Sequence, residues 1–157
     1  MESSRDLQPA FAVIRQYDPA TYARMRASDW RVTTNPDDVP AWVAQGSEDA
    51  FGVTETLGSH PLTLVNPDRV AEWSDERCQD ARWFMADVLV HEFVHTTQKG
   101  LNSPAQEIPA FRAGAAFARK LPPEYGREIA QESDGDMVGE TEDVRRRREE
   151  LGLNPEG

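Results

Sequence analysis

The stretch that most constrains this chain is His91-Glu92-Phe93-Val94-His95. It lies in a strongly apolar run, Ala81 to Gln98, that reads as helix. On a helix, residues four apart stand one above the other on the same face. His91 and His95 therefore offer two imidazoles to one ion. Glu92 sits one residue on, where a carboxylate can hold a water against that ion and take its proton. Two histidines and an acid at this spacing are the pattern of a site that activates water on a metal, zinc above all. The chain has 3 histidines in 157 residues. Random placement would produce the pattern roughly 0.4% of the time, so coincidence is the weaker reading.

The helix around the motif is apolar on almost every side. Phe84, Val88, His91 and His95 share one face, and Trp83, Ala86, Leu89, Val90, Phe93 and Val94 cover much of the rest. Such a helix belongs at the centre of a domain. Ser74 is its expected N-cap, the helix running from about Asp75 to Gln98, with Lys99-Gly100 closing it. Upstream, Pro9 to Tyr17 and Ala20 to Ala27 read as helices. Trp30–Thr34, Phe51–Glu55 and Leu62–Val65 are rich in β-formers and read as three strands, the last two pairing as a hairpin. Downstream, Ser103 and Gln106 form a capping-box pattern before a helix over Glu107 to Leu121, stopped by Pro122-Pro123. Glu124 to Gln131 is a short helix. Glu132 to Glu142, acidic with Gly135 and Gly139, reads as loop. Val144 to Leu151 contains four consecutive arginines flanked by acids, which describes a solvated terminal helix better than a nucleic-acid patch. The expected organisation is a disordered segment 1–8, one domain over 9–131, and a tail over 132–157. The fold class is α+β, with a small twisted sheet of about three strands.

Composition narrows the partners. The net charge is −11, which argues against nucleic acid or an anionic membrane. The single cysteine, Cys78, excludes an internal disulfide framework. No apolar run reaches membrane-spanning length. Residues 1–8 show no secretory pattern, which favours the cytoplasm; a monomer is expected.

A catalytic zinc takes three protein ligands and keeps one position for water. The motif supplies two. The metzincin extension needs Gly at position 98 and His or Asp at 101, where Gln98 and Leu101 stand. No histidine follows His95. The third ligand is then a downstream carboxylate, among Glu107, Glu124, Glu128, Asp134 and Asp136, or His60 upstream. Glu107 is the first glutamate after the motif. The small residues Ala110, Ala113, Gly114 and Ala115 would let its helix fold back closely against the first.

His91-Glu92-x-x-His95 followed by Glu107-Ile108-Pro109-Ala110-Phe111 resembles the gluzincin clan of zinc metallopeptidases, and the short chain resembles its minimal single-domain members. The resemblance covers roughly Trp30 to Arg119. It implies a zincin-like fold, with a small sheet packed on a central active-site helix and a following glutamate helix. It implies zinc held by His91, His95 and Glu107, with Glu92 as general base in peptide-bond hydrolysis. It also implies a peptide or protein substrate, bound along an edge strand, with Leu62 to Val65 the expected strand. Thermolysin-like members carry an Asp where Phe111 stands, so another group must orient the imidazoles, with Asp87 or a backbone carbonyl in view. Tyr125 and His60 are the candidates for stabilising the transition state. The competing readings are a non-catalytic zinc-binding interaction or sensor module, and a dedicated toxin or effector protease.

Overall fold

In the computed structural model, residues 1–98 and 103–153 are described. The expected helix stop at Lys99-Gly100 and the turn at Asn102 lie outside the described residues. The architecture is α+β, with a four-stranded sheet in the order β1-β2-β4-β3. β1 (Glu2–Ser3), β2 (Arg31–Thr33) and β4 (Leu62–Val65) run parallel, and β3 (Gly52–Glu55) is antiparallel to β4. The three expected strands are present, and the last two form the expected hairpin pair. Two corrections follow from the strand order. β4 lies between β2 and β3, so its main-chain groups are paired on both sides, and residues 62–65 cannot serve as a substrate-binding edge. β3 is an edge strand instead.

The second correction concerns residues 1–8. Glu2 N donates to Trp30 O at 2.9 Å and Ser4 N donates to Val32 O at 3.1 Å. Leu7 is fully buried in the core. This segment is part of the fold and not disordered. Glu2-Ser3 has no apolar alternation, so nothing local marks it as strand. Its order comes from main-chain bonds to a segment about thirty positions away.

The helices are α1 (Gln8–Tyr17), α2 (Pro19–Ala27), α3 (Ala41–Gly46), α4 (Pro67–Glu76), α5 (Ala81–His95), α6 (Pro104–Ala118) and α7 (Pro123–Glu150). Asp18 caps α2 by accepting from Thr21 N at 3.2 Å. The single helix expected from Asp75 to Gln98 is in fact two. Asn66 caps α4 through Arg69 N, and Ser74 is buried inside that helix, its hydroxyl donating to Val70 O. Cys78 takes a left-handed conformation, φ 53. The chain then turns, and Asp80 caps α5 by accepting from Arg82 N at 3.0 Å. Asp80, and not Ser74, is therefore the cap of the helix that carries the motif.

α7 is also longer than expected. Glu132 to Glu142 is helix and not loop, and residues 132–150 continue the helix begun at Pro123. Gly135 and Gly139 each cost helix stability of about 1 kcal/mol relative to alanine, but packing outweighs this. Gly126, Ile129, Ala130 and Ser133 are buried. A Cβ on Gly126 would lie 2.1 Å from Ala118 O, so only glycine lets α7 start this close to α6. The arginine run behaves as a solvated face, with Arg145 paired to Glu142 and Arg146 to Asp143.

α5 is the centre of the molecule. Phe84, Met85, Ala86, Val88, Leu89 and Val90 are all buried. Phe84 stacks on Trp73 of α4 at 4.0 Å, and Phe51 meets it edge-on at 4.8 Å. Trp30, before β2, packs on Phe93 at 5.3 Å. Burying a side chain of this size is worth about 1.5–3 kcal/mol, so the helix that carries the motif is the one whose position is most firmly determined. Among the described residues, no helix is long and apolar enough to cross a membrane.

Candidate metal centre

α6 returns along α5 and brings Glu107, in its first turn, to the two imidazoles. His91 Nε2 lies 2.9 Å from Glu107 Oε2, and His95 Nε2 lies 3.2 Å from Glu107 Oε1. The two Nε2 atoms are 3.2 Å apart. Three potential ligand groups thus stand at the corners of a triangle, with the two oxygens of one carboxylate each facing one ring. His95 is 5% exposed, so this triangle opens mainly past His91 and Glu107. Ligand atoms of His91, Glu92 and His95 also lie within 4.8 Å of one another.

Glu92 stands apart from the triangle and is held from the sheet. Thr54 Oγ1 donates to Glu92 Oε2 at 2.5 Å. Thr54 and Thr63 face each other across the β3–β4 pair, their hydroxyls 2.7 Å apart. Trp30 Nε1 donates to Thr63 Oγ1 at 2.8 Å. Indole N–H only donates and a carboxylate only accepts. The direction of the whole chain is therefore set: Trp30 to Thr63, Thr63 to Thr54, Thr54 to Glu92. Glu92 is 4% exposed. Its room comes from Gly52, where a Cβ would lie 3.0 Å from Glu92 Cγ and 3.1 Å from Oε1. A glycine inside a strand is a sign of such close approach, and the threonines read in sequence as ordinary β-formers.

The imidazoles are oriented by groups that sequence reasoning did not assign. His95 Nδ1 bonds Gln98 Oε1 at 2.6 Å, and Gln98 Nε2 donates to Gln106 O at 2.9 Å. Because the amide oxygen accepts, Nδ1 carries a proton, which makes Nε2 the nitrogen that would turn to a metal once it gives up its own. Gln98 follows His95 by three positions, spacing that pointed to it in sequence. The ring of His91 packs on Phe111 at 4.5 Å between centroids, so an aromatic ring stands where an acid was missed. Asp87 does not take this role: its Oδ2 accepts from Ser133 Oγ at 3.2 Å.

The other candidates lie elsewhere. Tyr125 stacks on Trp83, ring centroids 4.2 Å apart. His60 pairs with Asp29 at 3.3 Å, in a groove bordered by β1 and β2. Glu128 pairs with Arg77 and Asp134 with Arg119. None of these four touches the imidazoles. Asp136 lines the cavity beside His91 without joining the triangle.

The charges of the triangle are strongly coupled. Burial alone would lower both histidines. The hydrogen bond to Glu107 and the charge of Glu92 outweigh it, raising His91 and taking His95 up to about 9. Burial would raise Glu107, but its bonds to both imidazoles hold it down to about 2. Asp87 is the opposite case. Burial pushes its carboxyl up to about 7, against the pull of His91 and Ser133. A cavity of about 460 Å³ opens beside His91, Glu92 and Glu107 and is walled on its far side by α7. Compared with known proteins, the chain matches no family model, no curated protein and no solved structure.

Proposed function

We propose that this chain is a zinc-dependent peptidase of the gluzincin type, with a zincin-like fold. His91, His95 and Glu107 hold the metal, and Glu92 is the general base. The observation that carries this reading is the triangle of donor atoms. Zinc–nitrogen and zinc–oxygen bonds near 2.0–2.2 Å, in tetrahedral geometry, separate the donors by about 3.3 Å. Here the two nitrogens are 3.2 Å apart, and each faces its own oxygen of Glu107, at 2.9 and 3.2 Å. Two imidazoles and one carboxylate are the donor set of a catalytic zinc, and a fourth position facing the cavity leaves room for water.

When bound, the metal supplies Lewis acidity, acidifying water and polarising a carbonyl. The remaining steps belong to the chain's own groups. Thr54 holds Glu92 Oε2, which leaves Oε1 as the proton acceptor on the cavity side. Glu92 takes the proton of the attacking water and delivers it to the leaving amine. Gln98 and Phe111 keep the two rings from swinging away from Glu107. β3 carries an edge that no strand among the described residues pairs with. It starts beside Glu92, so an extended peptide adding to this edge would lie across the site.

A non-catalytic metal module is the competing reading. A closed structural site takes four protein ligands and has no use for a base. The hydrogen-bonded chain ending on Glu92 favours the enzyme. The test is zinc content and digestion of casein and a peptide library by wild type and Glu92→Gln. The expected result is full zinc in both, with the variant's hydrolysis reduced at least a hundredfold. Equal cleavage by the two proteins, or zinc-loaded wild type that cleaves nothing, overturns the reading.

A further inference from the structure

The cavity beside His91 has two kinds of wall. Its floor is apolar, made by Phe51, Phe84, Val88 and Phe111. Its α7 side is acidic, with Glu132, Asp136 and Glu140 at successive turns of one helix face. Among the described residues, no lysine or arginine lines it. Asp143 also borders it but is paired with Arg146. At the cavity's inner end is Asp87, 3% exposed, which with Ser133 joins α5 to α7. Asp87 Oδ1 is buried and has no hydrogen-bond partner. A buried carboxylate oxygen without a donor is costly, and such atoms in folded proteins call for an explanation.

A cationic side chain answers the apolar floor and the acidic wall, while Asp87 Oδ1, packed against Gly114, is not itself open to the cavity. The stems of arginine and lysine are apolar and their heads carry only donors. The stem would lie on the phenylalanines while the head reaches the carboxylates. A single metal ion fits the acids less well. Glu132 to Glu140 spans about 12 Å along the helix axis, too far for one ion to gather. The donor atoms that converge are those of His91, Glu92 and His95.

We propose that this cavity is a specificity subsite for an arginine or lysine side chain of the substrate, lined by Asp87, Glu132 and Asp136. The proposal deepens the peptidase reading and rests on it for the identity of the guest as part of a substrate. The subsite adjoins the triangle through His91 and Glu107, so the residue it takes is one next to, or near, the cleaved bond. Gly135 and Gly139 border the same space, with nothing within 4 Å of where a Cβ would be. Their lack of side chains keeps the α7 wall low and the cavity accessible.

The test uses alanine-based octapeptides carrying one arginine at each position in turn, against norleucine at the same position. The first measurement is kcat/KM with zinc-loaded wild type, Asp136→Asn and Glu132→Gln. The second is peptide affinity for zinc-loaded Glu92→Gln, with and without Asp136→Asn. Arginine should be preferred at least tenfold at one position, in cleavage and in affinity, and Asp136→Asn should reduce that ratio at least fivefold. Equal treatment of arginine and norleucine, or a ratio unmoved by both acid substitutions, overturns the subsite. Binding preference without any hydrolysis retains the subsite and removes the peptidase reading. Hydrolysis without preference does the reverse. Calcium ion alone, bound stoichiometrically by wild type and lost in Asp136→Asn, overturns the proposal in favour of a cation site. Asp136 is solvent-exposed, so its substitution does not threaten folding.

Discussion

Thr54 Oγ1 donates a 2.5 Å hydrogen bond to Glu92 Oε2, joining an edge strand to the acid of the metal-site helix. Neither residue would be linked to the other by sequence spacing. Thr54→Val keeps the shape and removes the donor. It leaves Glu92 Oε2 without its threonine and breaks the chain from Trp30. The expected loss is about 1–3 kcal/mol of stability and about ten- to a hundredfold in kcat. Thr54→Ser should restore both. Denaturant melts and single-turnover rates check this, and full activity in Thr54→Val would remove its positioning role.

Glu107 spans both imidazoles, so Glu107→Ala should weaken zinc about as much as His91→Ala. In wild type, a chelator should lower the melting temperature, because the metal binds only the folded chain. At a zinc concentration 100 times Kd this stabilisation is about 2.7 kcal/mol. In Glu107→Ala the chelator shift should nearly vanish. Glu72→Ala, on the exposed face of α4, is the control and should behave as wild type. Zinc titration with a competing chromophoric chelator measures the affinities.

Gln98 fixes the tautomer of His95 and ties the end of α5 to α6. Gln98→Ala should lower zinc affinity by about 10–100-fold with a smaller loss than Glu107→Ala. Proton-detected NMR of His95 in the zinc-free protein should show the Nδ1–H signal weakened in the variant. An unchanged signal and unchanged affinity would count against the assignment.

Asp87 should make the protein less stable as pH rises. Its folded carboxyl is pushed up from 3.8 to about 7. Between those values the folded chain holds a proton that the unfolded chain has released. Stability therefore falls as pH rises through this window. Asp87→Asn removes that slope. With chelator present, the variant should match wild type near pH 4 and exceed it at pH 8, by on the order of 2–4 kcal/mol. Urea melts across pH check the sign. A variant less stable than wild type at pH 8 would show that Asp87 is satisfied in the folded chain.

The parts of this protein that are legible in its sequence are those determined over short distances. The spacing of His91 and His95 puts them on one helix face whatever surrounds that helix, and Glu92 follows with them. The three β-rich runs become strands because their side chains suit a pleated, half-buried surface, and the paired prolines mark the end of α6. Tertiary structure decided everything that depends on which segment lies beside which. Only strand order makes β3 the edge and encloses β4. Only main-chain pairing with a distant strand orders Glu2-Ser3. The acidic stretch after Gln131 continues a helix whose first turns are buried, and Ser133 ties it to α5 where it walls the cavity. The bonds from Thr54 to Glu92 and from Ser133 to Asp87 exist only because residues 38 and 46 positions apart in the chain meet. Local periodicity carries no information about such meetings, because their energy comes from long-range burial and hydrogen bonding that no single segment possesses.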